Sequence, residues 1–218
     1  MKSVAVILSG CGVFDGSEIH EAVLTLLALD RANARVVCAA PDMPQHHVTN
    51  HYSKQASAGE ARNVLAESAR IARGNIKSLA DLKPSDYQAV ILPGGFGAAA
   101  NLCDFGEKGA QSRVQPDVAR VLKEAHQAGK PLGFICISPV IAANLFGHAK
   151  VELTIGNDAG TAKQIEAFGA RHVPCTVHNL VVDRRLKIVS TPAYMLGTRL
   201  TEIEAGINKL VQAVLEMM

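Results

Sequence analysis

The sequence predicts a single doubly wound α/β domain over residues 1–218, with a mostly parallel, flavodoxin-like sheet and helices on both faces. Two observations support this prediction. Short, uninterrupted apolar runs such as residues 4–8 are typical of strands that are buried on both faces. Stretches with apolar residues at helical spacing separate these runs, so consecutive strands are joined through helices and should lie parallel.

Predicted strands and helices alternate along the whole chain, with no repeat or linker between them. The strands cover residues 4–8, 35–40, 89–92, 131–135, 151–155, 181–183 and 187–190. The helices cover residues 18–32, 60–73, 115–128, 139–145, 161–168 and 200–215. The polar residues 41–59 predict a long loop or a small hairpin, and residues 98–114 are expected to be irregular.

Composition limits the classes of protein to which the chain can belong. Hydrophobic residues make up 48% of it, which is too many for a disordered protein. Lys and Arg total 22 against 20 Asp and Glu, so the net charge of +2 gives no electrostatic reason to expect a nucleic-acid or membrane partner. No apolar run approaches the roughly 18 residues that a membrane-spanning helix needs.

The cysteines are spaced so that no two form a Cys-x-x-Cys pair. They are Cys11, Cys38, Cys103, Cys136 and Cys175. An odd number without such a pair favours reduced thiols over a disulfide framework or a zinc knuckle. The first apolar run stops at Ser9, which is too early for a signal peptide. These features predict a cytoplasmic protein.

Three chemically unusual segments follow predicted core strands, namely residues 9–21, 93–101 and 136–139. Ligands of open α/β sheets bind outside the carboxyl ends of the strands, so these segments should meet at one edge of the sheet. The sequence therefore places a functional site there.

The segment at Cys136 resembles a nucleophile elbow, in which a tight turn lifts the nucleophile above the sheet. A strand leads directly into Cys136, Ser138 suits a helix N-cap, and Pro139 suits the first helical turn. The helix N-terminus would favour the thiolate form, and the Ile137 N–H would face an oxyanion. The alternative is a small buried cysteine at a strand end.

The segment at Gly94 and Gly95 follows a second core strand. Paired glycines let the backbone approach a ligand closely, and their N–H groups are candidate oxyanion donors. An ordinary glycine turn is the alternative. Asn101 and Cys11 also lie on these segments, and together with Gly94 and Glu18 they are predicted to contact the substrate.

The first segment carries three acids, Asp15, Glu18 and Glu21, spaced three residues apart. A carboxylate at a helix N-terminus often only compensates the helix dipole, and this interpretation fits Glu18. It fits Glu21 less well, because Glu21 lies one turn further along the helix and among apolar residues.

The glycines of the same segment allow a different interpretation. Gly10, Gly12 and Gly16 after the first strand, with Asp42 after the second, are close to a dinucleotide-binding pattern. The acids of this segment argue against it, because they would crowd the position of a pyrophosphate with like charge.

Taken together, the three segments resemble the ThiJ/PfpI family of the class I glutamine-amidotransferase-like superfamily, over nearly the whole chain. The most specific matches are residues 89–97 and 133–136, and residues 8–21 and 190–195 narrow the resemblance to the enhancing-lycopene-biosynthesis (ElbB) subfamily of glyoxalases. The resemblance also implies a homodimer.

The resemblance further implies roles for individual residues. Cys136 would be the nucleophile, and Glu21, or as second choice Glu18, would be the acid that hydrogen-bonds the sulfur. Gly95 and Ile137 would donate their N–H groups to the oxyanion.

The chain departs from the family pattern in its histidines. Residues 151–156 lack the histidine that often follows the nucleophile, so Glu21, His20 or a histidine from a second subunit must act as the base. Glutaminase activity needs a late His-x-Glu pair, and neither His172 nor His178 has an acid two residues on.

The chemistry that remains is addition of a thiol to an aldehyde. Glyoxal would form a hemithioacetal with Cys136, and a proton shift and hydrolysis would then give glycolate. This reaction needs no glutathione, metal or nicotinamide. Methylglyoxal would react in the same way, but weakly. No metal is expected, because His46, His47 and His51 have no acid or thiol companion in the sequence. The alternative function is a redox or carbonyl sensor, or a regulatory protein linked to isoprenoid biosynthesis, in which Cys136 is modified without turnover.

Overall fold

A computed structural model describes residues 1–218. The strands are β1 (Ser3–Ile7), β2 (Arg35–Ala40), β3 (Thr49–Asn50), β4 (Gln55–Ala56), β5 (Lys77–Ser78), β6 (Ala89–Leu92), β7 (Leu132–Ile135), β8 (Glu152–Leu153), β9 (Arg171–His172), β10 (Val181–Asp183) and β11 (Ile188–Thr191). The helices are α1 (Ile19–Arg31), α2 (Val64–Ile71), α3 (Phe96–Ala100), α4 (Phe105–Lys108), α5 (Pro116–Gln127), α6 (Pro139–Phe146), α7 (Ala159–Ala167) and α8 (Leu200–Glu216).

Seven strands form the central sheet, in the order β10-β11-β7-β6-β1-β2-β5. All neighbouring pairs are parallel except β10 and β11, which are antiparallel because only a short turn joins them. The mostly parallel sheet predicted from the sequence is confirmed. Since β7, β6 and β1 are adjacent, the segments that follow them converge at the carboxyl edge of the sheet.

Alternation of side chains along the strands divides the core into two layers. In β1, Val4 and Val6 pack into one layer, whereas Ala5 and Ile7 pack into the other. Helices α1 and α8 cover the first layer, and α5 and α6 cover the second. The prediction of helices on both faces is confirmed.

The structure differs from the predicted elements in several short segments. Helix α2 begins at Val64, four residues later than expected, because the Asn63 side chain accepts the Ala66 N–H (3.0 Å) and caps the helix. The segment 41–59 contains the small hairpin β3–β4, and 98–114, expected to be irregular, contains α4 and the end of α3. No helix combines the length and the apolar character that crossing a bilayer would require.

The predicted strand 151–155 is shorter and lies outside the main sheet. Only the two residues of β8 are extended, and they pair with β9, which the sequence did not predict. The predicted strand count also missed β5, a two-residue strand at the sheet edge. Strands this short bury too few side chains to produce a hydrophobic pattern.

Candidate active site at the Cys136 elbow

Cys136 lies in a strained turn between β7 and α6. Its φ is +63°, a left-handed conformation that non-glycine residues seldom adopt and that often marks functional sites. The Cys136 N–H donates to the Thr191 carbonyl (2.9 Å), which ties the turn to β11. The strand-to-helix elbow predicted from the sequence is therefore the observed geometry.

Ser138 stabilises this elbow in a way that the sequence did not indicate. Its hydroxyl makes no capping bond to α6. It instead accepts the Ile135 N–H (2.8 Å) and lies 2.9 Å from the Leu92 carbonyl, to which it donates. The hydroxyl thus connects the ends of β7 and β6 directly beneath Cys136.

Glu21 is fully buried on the first turn of α1, and both of its carboxyl oxygens accept backbone N–H groups. Oε2 accepts the Gly94 N–H (2.9 Å) and Oε1 accepts the Tyr194 N–H (3.2 Å). The carboxyl also shares a hydrogen bond with the Cys136 thiol. Burial, and then the charge of Glu18, raise the pKa of Glu21 to about 8.

Gly94 and Gly95 are glycines because the site leaves no room for a side chain. A Cβ at Gly94 would overlap the Cys136 Cβ and lie 2.6 Å from Oε2 of Glu21. Gly95 has a φ of +94°, and a Cβ there would overlap the backbone of Glu18. The Gly94 N–H is already bonded to Glu21, so this residue shapes the site and has no free donor for a substrate.

The surroundings of the thiol reverse one sequence expectation. Burial and the charge of Glu21 raise the pKa of Cys136 well above its usual range, whereas the sequence predicted that the helix N-terminus would favour thiolate. The N–H groups of Gly95 and Ile137 hydrogen-bond the sulfur and offset part of this rise. Because the resting thiol holds its proton, reaction at the sulfur requires a partner that accepts one.

Glu18 caps α1 and also faces the space in front of Cys136. Its Oε2 accepts the Glu21 N–H (2.7 Å), which is the helix-end role that the sequence suggested. Of the two acids, only Glu21 hydrogen-bonds the thiol, whereas Glu18 lines the adjoining cavity.

A cavity of about 670 Å³ opens above the elbow. Cys136, Gly95 and Ile137 form its reactive end, and Glu18 and Tyr194 flank that end. Nine of the thirteen lining residues are hydrophobic, so the cavity offers a bound molecule a mainly apolar surface.

Two residues that were expected to contact the substrate lie elsewhere. Cys11 lines a separate cavity with Arg62 and Glu67, although Val13 and Phe14 of the same loop line the cavity above Cys136. Asn101 is buried and uses its amide to hold the first loop, donating to the Ser9 carbonyl (2.8 Å) and the Asp15 carbonyl (2.9 Å). These two assignments were wrong because position on a loop does not fix the direction of a side chain.

Sequence reasoning missed Tyr194, although it lies in one of the matched segments. Its backbone N–H binds Glu21, its ring lines the cavity, and its hydroxyl lies 2.8 Å from Nδ1 of His20. His20 therefore faces Tyr194 at the cavity edge, and its side chain is 58% exposed. Only its position three residues beyond the end of β11 could have indicated Tyr194.

The glycines of the first loop allow the loop to fold back on itself. A Cβ at Gly16 would overlap the Cys11 nitrogen and lie 2.6 Å from the Gly10 carbonyl carbon. The Gly16 N–H donates to the Gly12 carbonyl (2.7 Å). This closure explains the glycine spacing without a bound dinucleotide.

The histidines of residues 46–51 contact groups of the protein itself. His46 Nε2 pairs with Glu107 Oε1 (2.9 Å), and His47 Nε2 lies 3.0 Å from the Phe14 carbonyl. His51 accepts the Phe14 N–H through Nε2 (3.2 Å). These contacts hold the loop that forms one wall of the cavity.

Known proteins share this fold and up to half of the aligned residues. No protein-family model matches the chain. It is 50% identical over 223 residues to human glutamine amidotransferase-like class 1 domain-containing protein 3, mitochondrial, covering 98% of this chain and 82% of the relative. It is 33% identical over 231 residues to the zebrafish (Danio rerio) ES1 protein, mitochondrial, covering 99% and 86%.

Two solved structures are also similar to this chain. A crystal structure of an isoprenoid biosynthesis protein with an amidotransferase-like domain from Ehrlichia chaffeensis has a TM-score of 0.91 and 36% identity, covering 99% of this chain and 100% of that one. Glyoxalase III from Candida albicans shares the fold with a TM-score of 0.63 at 15% identity, covering 98% and 97%.

The names of the relatives correct the predicted location. The human, rat and zebrafish proteins are all described as mitochondrial, which contradicts the cytoplasmic prediction. Reduced cysteines report the redox state of a compartment and do not identify the compartment. The high identity over nearly the full chain shows that the chain belongs to the glutamine amidotransferase-like class 1 (ES1) family, and the solved structures show that it has the fold of DJ-1 and ThiJ/PfpI proteins.

Proposed function

We propose that this protein is a glutathione-independent glyoxalase that converts glyoxal, and weakly methylglyoxal, to the hydroxy acid. The observation that carries the proposal is the arrangement at the elbow, where the Cys136 sulfur is hydrogen-bonded by Glu21 and by the Gly95 and Ile137 N–H groups. A nucleophile, a proton carrier and two oxyanion donors thus surround one point of the cavity.

The first step joins Cys136 to the substrate. In molecules whose Glu21 is ionised, the thiol proton passes to the Glu21 carboxylate as the sulfur adds to one aldehyde carbon, and negative charge develops on the aldehyde oxygen. The N–H groups of Gly95 and Ile137 lie beside the sulfur, where they can stabilise this oxyanion. Glu21 then gives the proton to this oxygen, which forms the hemithioacetal and restores the carboxylate.

The next steps move two protons and add one water. Glu21 removes the proton from the sulfur-bearing carbon and returns a proton to the neighbouring carbon, while the hydroxyl proton passes from the first oxygen to the second, which converts the hemithioacetal to a thioester. Water then cleaves the C–S bond, releasing glycolate from glyoxal and restoring the thiol. A pKa of about 8 suits Glu21 to accept and return a proton near neutral pH.

We further propose that the chain is part of the enhancing-lycopene-biosynthesis subfamily and forms a homodimer. The 36% identity to a protein described as an isoprenoid biosynthesis protein supports the subfamily. The dimer is supported by the family resemblance, and light scattering should give about twice 23.1 kDa. A mass of one chain at every concentration would contradict the dimer.

The sensor alternative has less support at this site. Oxidation of a cysteine begins from the thiolate, and burial together with Glu21 raises the pKa of Cys136.

Turnover by the purified protein tests the proposal. We expect glycolate to form from glyoxal and to fall to background in Cys136→Ser, while the matched Cys11→Ser variant stays within about twofold of the wild type, since Cys11 lines a different cavity. Mass addition at Cys136 without release of glycolate would overturn the glyoxalase and favour the sensor.

A further inference from the structure

The cavity is much larger than the proposed substrate. Its volume of about 670 Å³ lies within the roughly 300–1,000 Å³ that encloses drug-sized ligands. Glyoxal has only four heavy atoms and would fill a small part of the space next to Cys136. The remaining volume therefore needs a different explanation.

Aromatic side chains are concentrated around this space. The chain has six Phe, three Tyr and no Trp. Four of these nine rings line the cavity, and they are Phe14, Phe96, Phe105 and Tyr194. Aromatic rings offer flat apolar surface that stacks against another ring or an aliphatic chain.

Each phenylalanine of the cavity is held in place by a second ring behind it. Phe14 packs on His51 with ring centroids 5.1 Å apart, and Phe96 packs on His47 at 5.7 Å. Phe105 packs on Phe168 at 6.4 Å. The apolar surface is thus ordered before a ligand binds, which lowers the entropy lost on binding.

The cavity lacks the positive charge that an anionic ligand would need. None of the residues that line the cavity is Lys, Arg or His, and the only acid among them is Glu18. A carboxylate or phosphate on the substrate would lose its water here without gaining a cation. Apart from the reactive end, Thr161 and Tyr194 supply the hydroxyl groups of the lining.

We propose that this cavity selects 2-oxoaldehydes that carry a neutral apolar substituent, with an aromatic ring as the best fit. The inference rests on the proposed glyoxalase function and names its substrate class. The aldehyde carbon reacts at Cys136, and the substituent lies between Phe14, Phe96 and Phe105. For phenylglyoxal the balanced reaction is addition of one water to give mandelate, with no oxidant or reductant.

Competing substrates test the proposal directly. We expect kcat/KM for phenylglyoxal, measured as mandelate formed, to exceed that for glyoxal by about tenfold or more. The matched probe 4-carboxyphenylglyoxal, which adds one negative charge, should be at least about tenfold poorer than phenylglyoxal. A kcat/KM for glyoxal equal to or above that for phenylglyoxal would overturn the substrate class and leave the glyoxalase standing.

Variants of the aromatic wall localise the effect. Phe105→Ala should lower the ratio of kcat/KM for phenylglyoxal to kcat/KM for glyoxal by about fivefold. Phe96→Leu, a milder change at a ring that is 45% exposed, should have a similar effect. Tyr52→Ala, at a ring that is 99% exposed and does not line the cavity, should leave the ratio unchanged. An unchanged ratio in both wall variants would contradict the proposed binding position.

A binding measurement separates the two possible failures. Acetophenone, which has no aldehyde, should slow alkylation of Cys136, whereas acetone at the same concentration should not. If no dicarbonyl is turned over but acetophenone still protects Cys136, the apolar binding site exists. The glyoxalase function is then wrong, and the proposed substrate class is wrong with it. Equal protection by the two ketones would overturn the apolar preference itself.

Discussion

Cys136 and Cys11 both lie on segments that follow core strands, and both have carboxylates beside them, yet their surroundings differ. Cys136 has a φ of +63°, accepts hydrogen bonds from two backbone N–H groups and donates its thiol hydrogen to Glu21. Cys11 is half-buried beside Glu67 and Arg70, and burial and the charge of Glu67 raise its pKa while Arg70 lowers it.

The difference shows what a reactive cysteine needs beyond a neighbouring acid. At Cys11, the charges of Glu67 and Arg70 are paired with each other (2.9 Å), so neither is free to exchange a proton with the sulfur. At Cys136, the acid is buried without a cation and has a pKa of about 8. The comparison predicts that substitutions at the Cys136 site abolish turnover, whereas substitutions at the Cys11 site change only the pKa of that thiol.

A large effect is expected from Gly94→Ala. The new methyl group would overlap Cys136 and crowd Glu21, and it must displace one of them. We expect glycolate formation to fall by about 10²-fold or more, since misplacement of reacting groups by about 1 Å costs that much. Gly160→Ala is the matched control, because its methyl group would meet only an Asp158 oxygen at 3.5 Å. Full activity in Gly94→Ala would contradict the close packing described.

The next prediction concerns the pH dependence of the free energy of unfolding. Folded Glu21 keeps its proton up to about pH 8, whereas the unfolded chain releases it near the ordinary value of 4.5. Between these values the unfolded state binds fewer protons, so the free energy of unfolding falls by about 1.4 kcal/mol for each pH unit of increase. This contribution is complete below about pH 4.5 and is lost as pH rises through 8.

Urea unfolding at pH 5, 6.5 and 8 measures this slope. Glu21→Gln cannot ionise, so its stability relative to the wild type should rise by several kcal/mol across that range. Glu166→Gln, an exposed position on α7, should keep the wild-type slope. Parallel pH profiles for the wild type and Glu21→Gln would show that Glu21 is ionised in the folded protein at neutral pH.

The smallest effect is expected at Cys11. Because the charge of Glu67 raises the pKa of Cys11, Glu67→Gln should lower that pKa and speed iodoacetamide labelling of Cys11 by a few-fold at pH 8. Peptide mapping after brief labelling measures the rate, and turnover of glyoxal should not change. Loss of turnover in this variant would mean that the two sites are not independent.

The sequence was sufficient for the features that depend on continuous apolar pattern. The three core strands β1, β6 and β7 were predicted within about a residue of their ends, and their adjacency brings Cys136, Glu21 and Gly95 together. Short strands such as β5 and β8 could not be predicted well, because two residues carry no periodicity.

The sequence was insufficient where the direction of a side chain decides the function. The hydroxyl of Ser138 was predicted to cap a helix, but it binds the ends of two strands. Asn101 was predicted to face the substrate, but it holds backbone carbonyls. The pKa of Cys136 also depends on burial and on a charge from α1, neither of which is visible in the local sequence.

The central claim is that Cys136 adds to the substrate and that Glu21 carries the proton afterwards. Intact-mass measurement of the Cys136 adduct, together with glycolate formation, separates these steps in Glu21→Gln. We predict that this variant still forms the dicarbonyl adduct at Cys136, although more slowly because Glu21 no longer takes the thiol proton, while turnover falls by about 10²–10⁴-fold. Glu18→Gln, at the helix cap, should lose less than about tenfold. Turnover in Glu21→Gln within a few-fold of the wild type, or an equal loss in Glu18→Gln, would contradict the account.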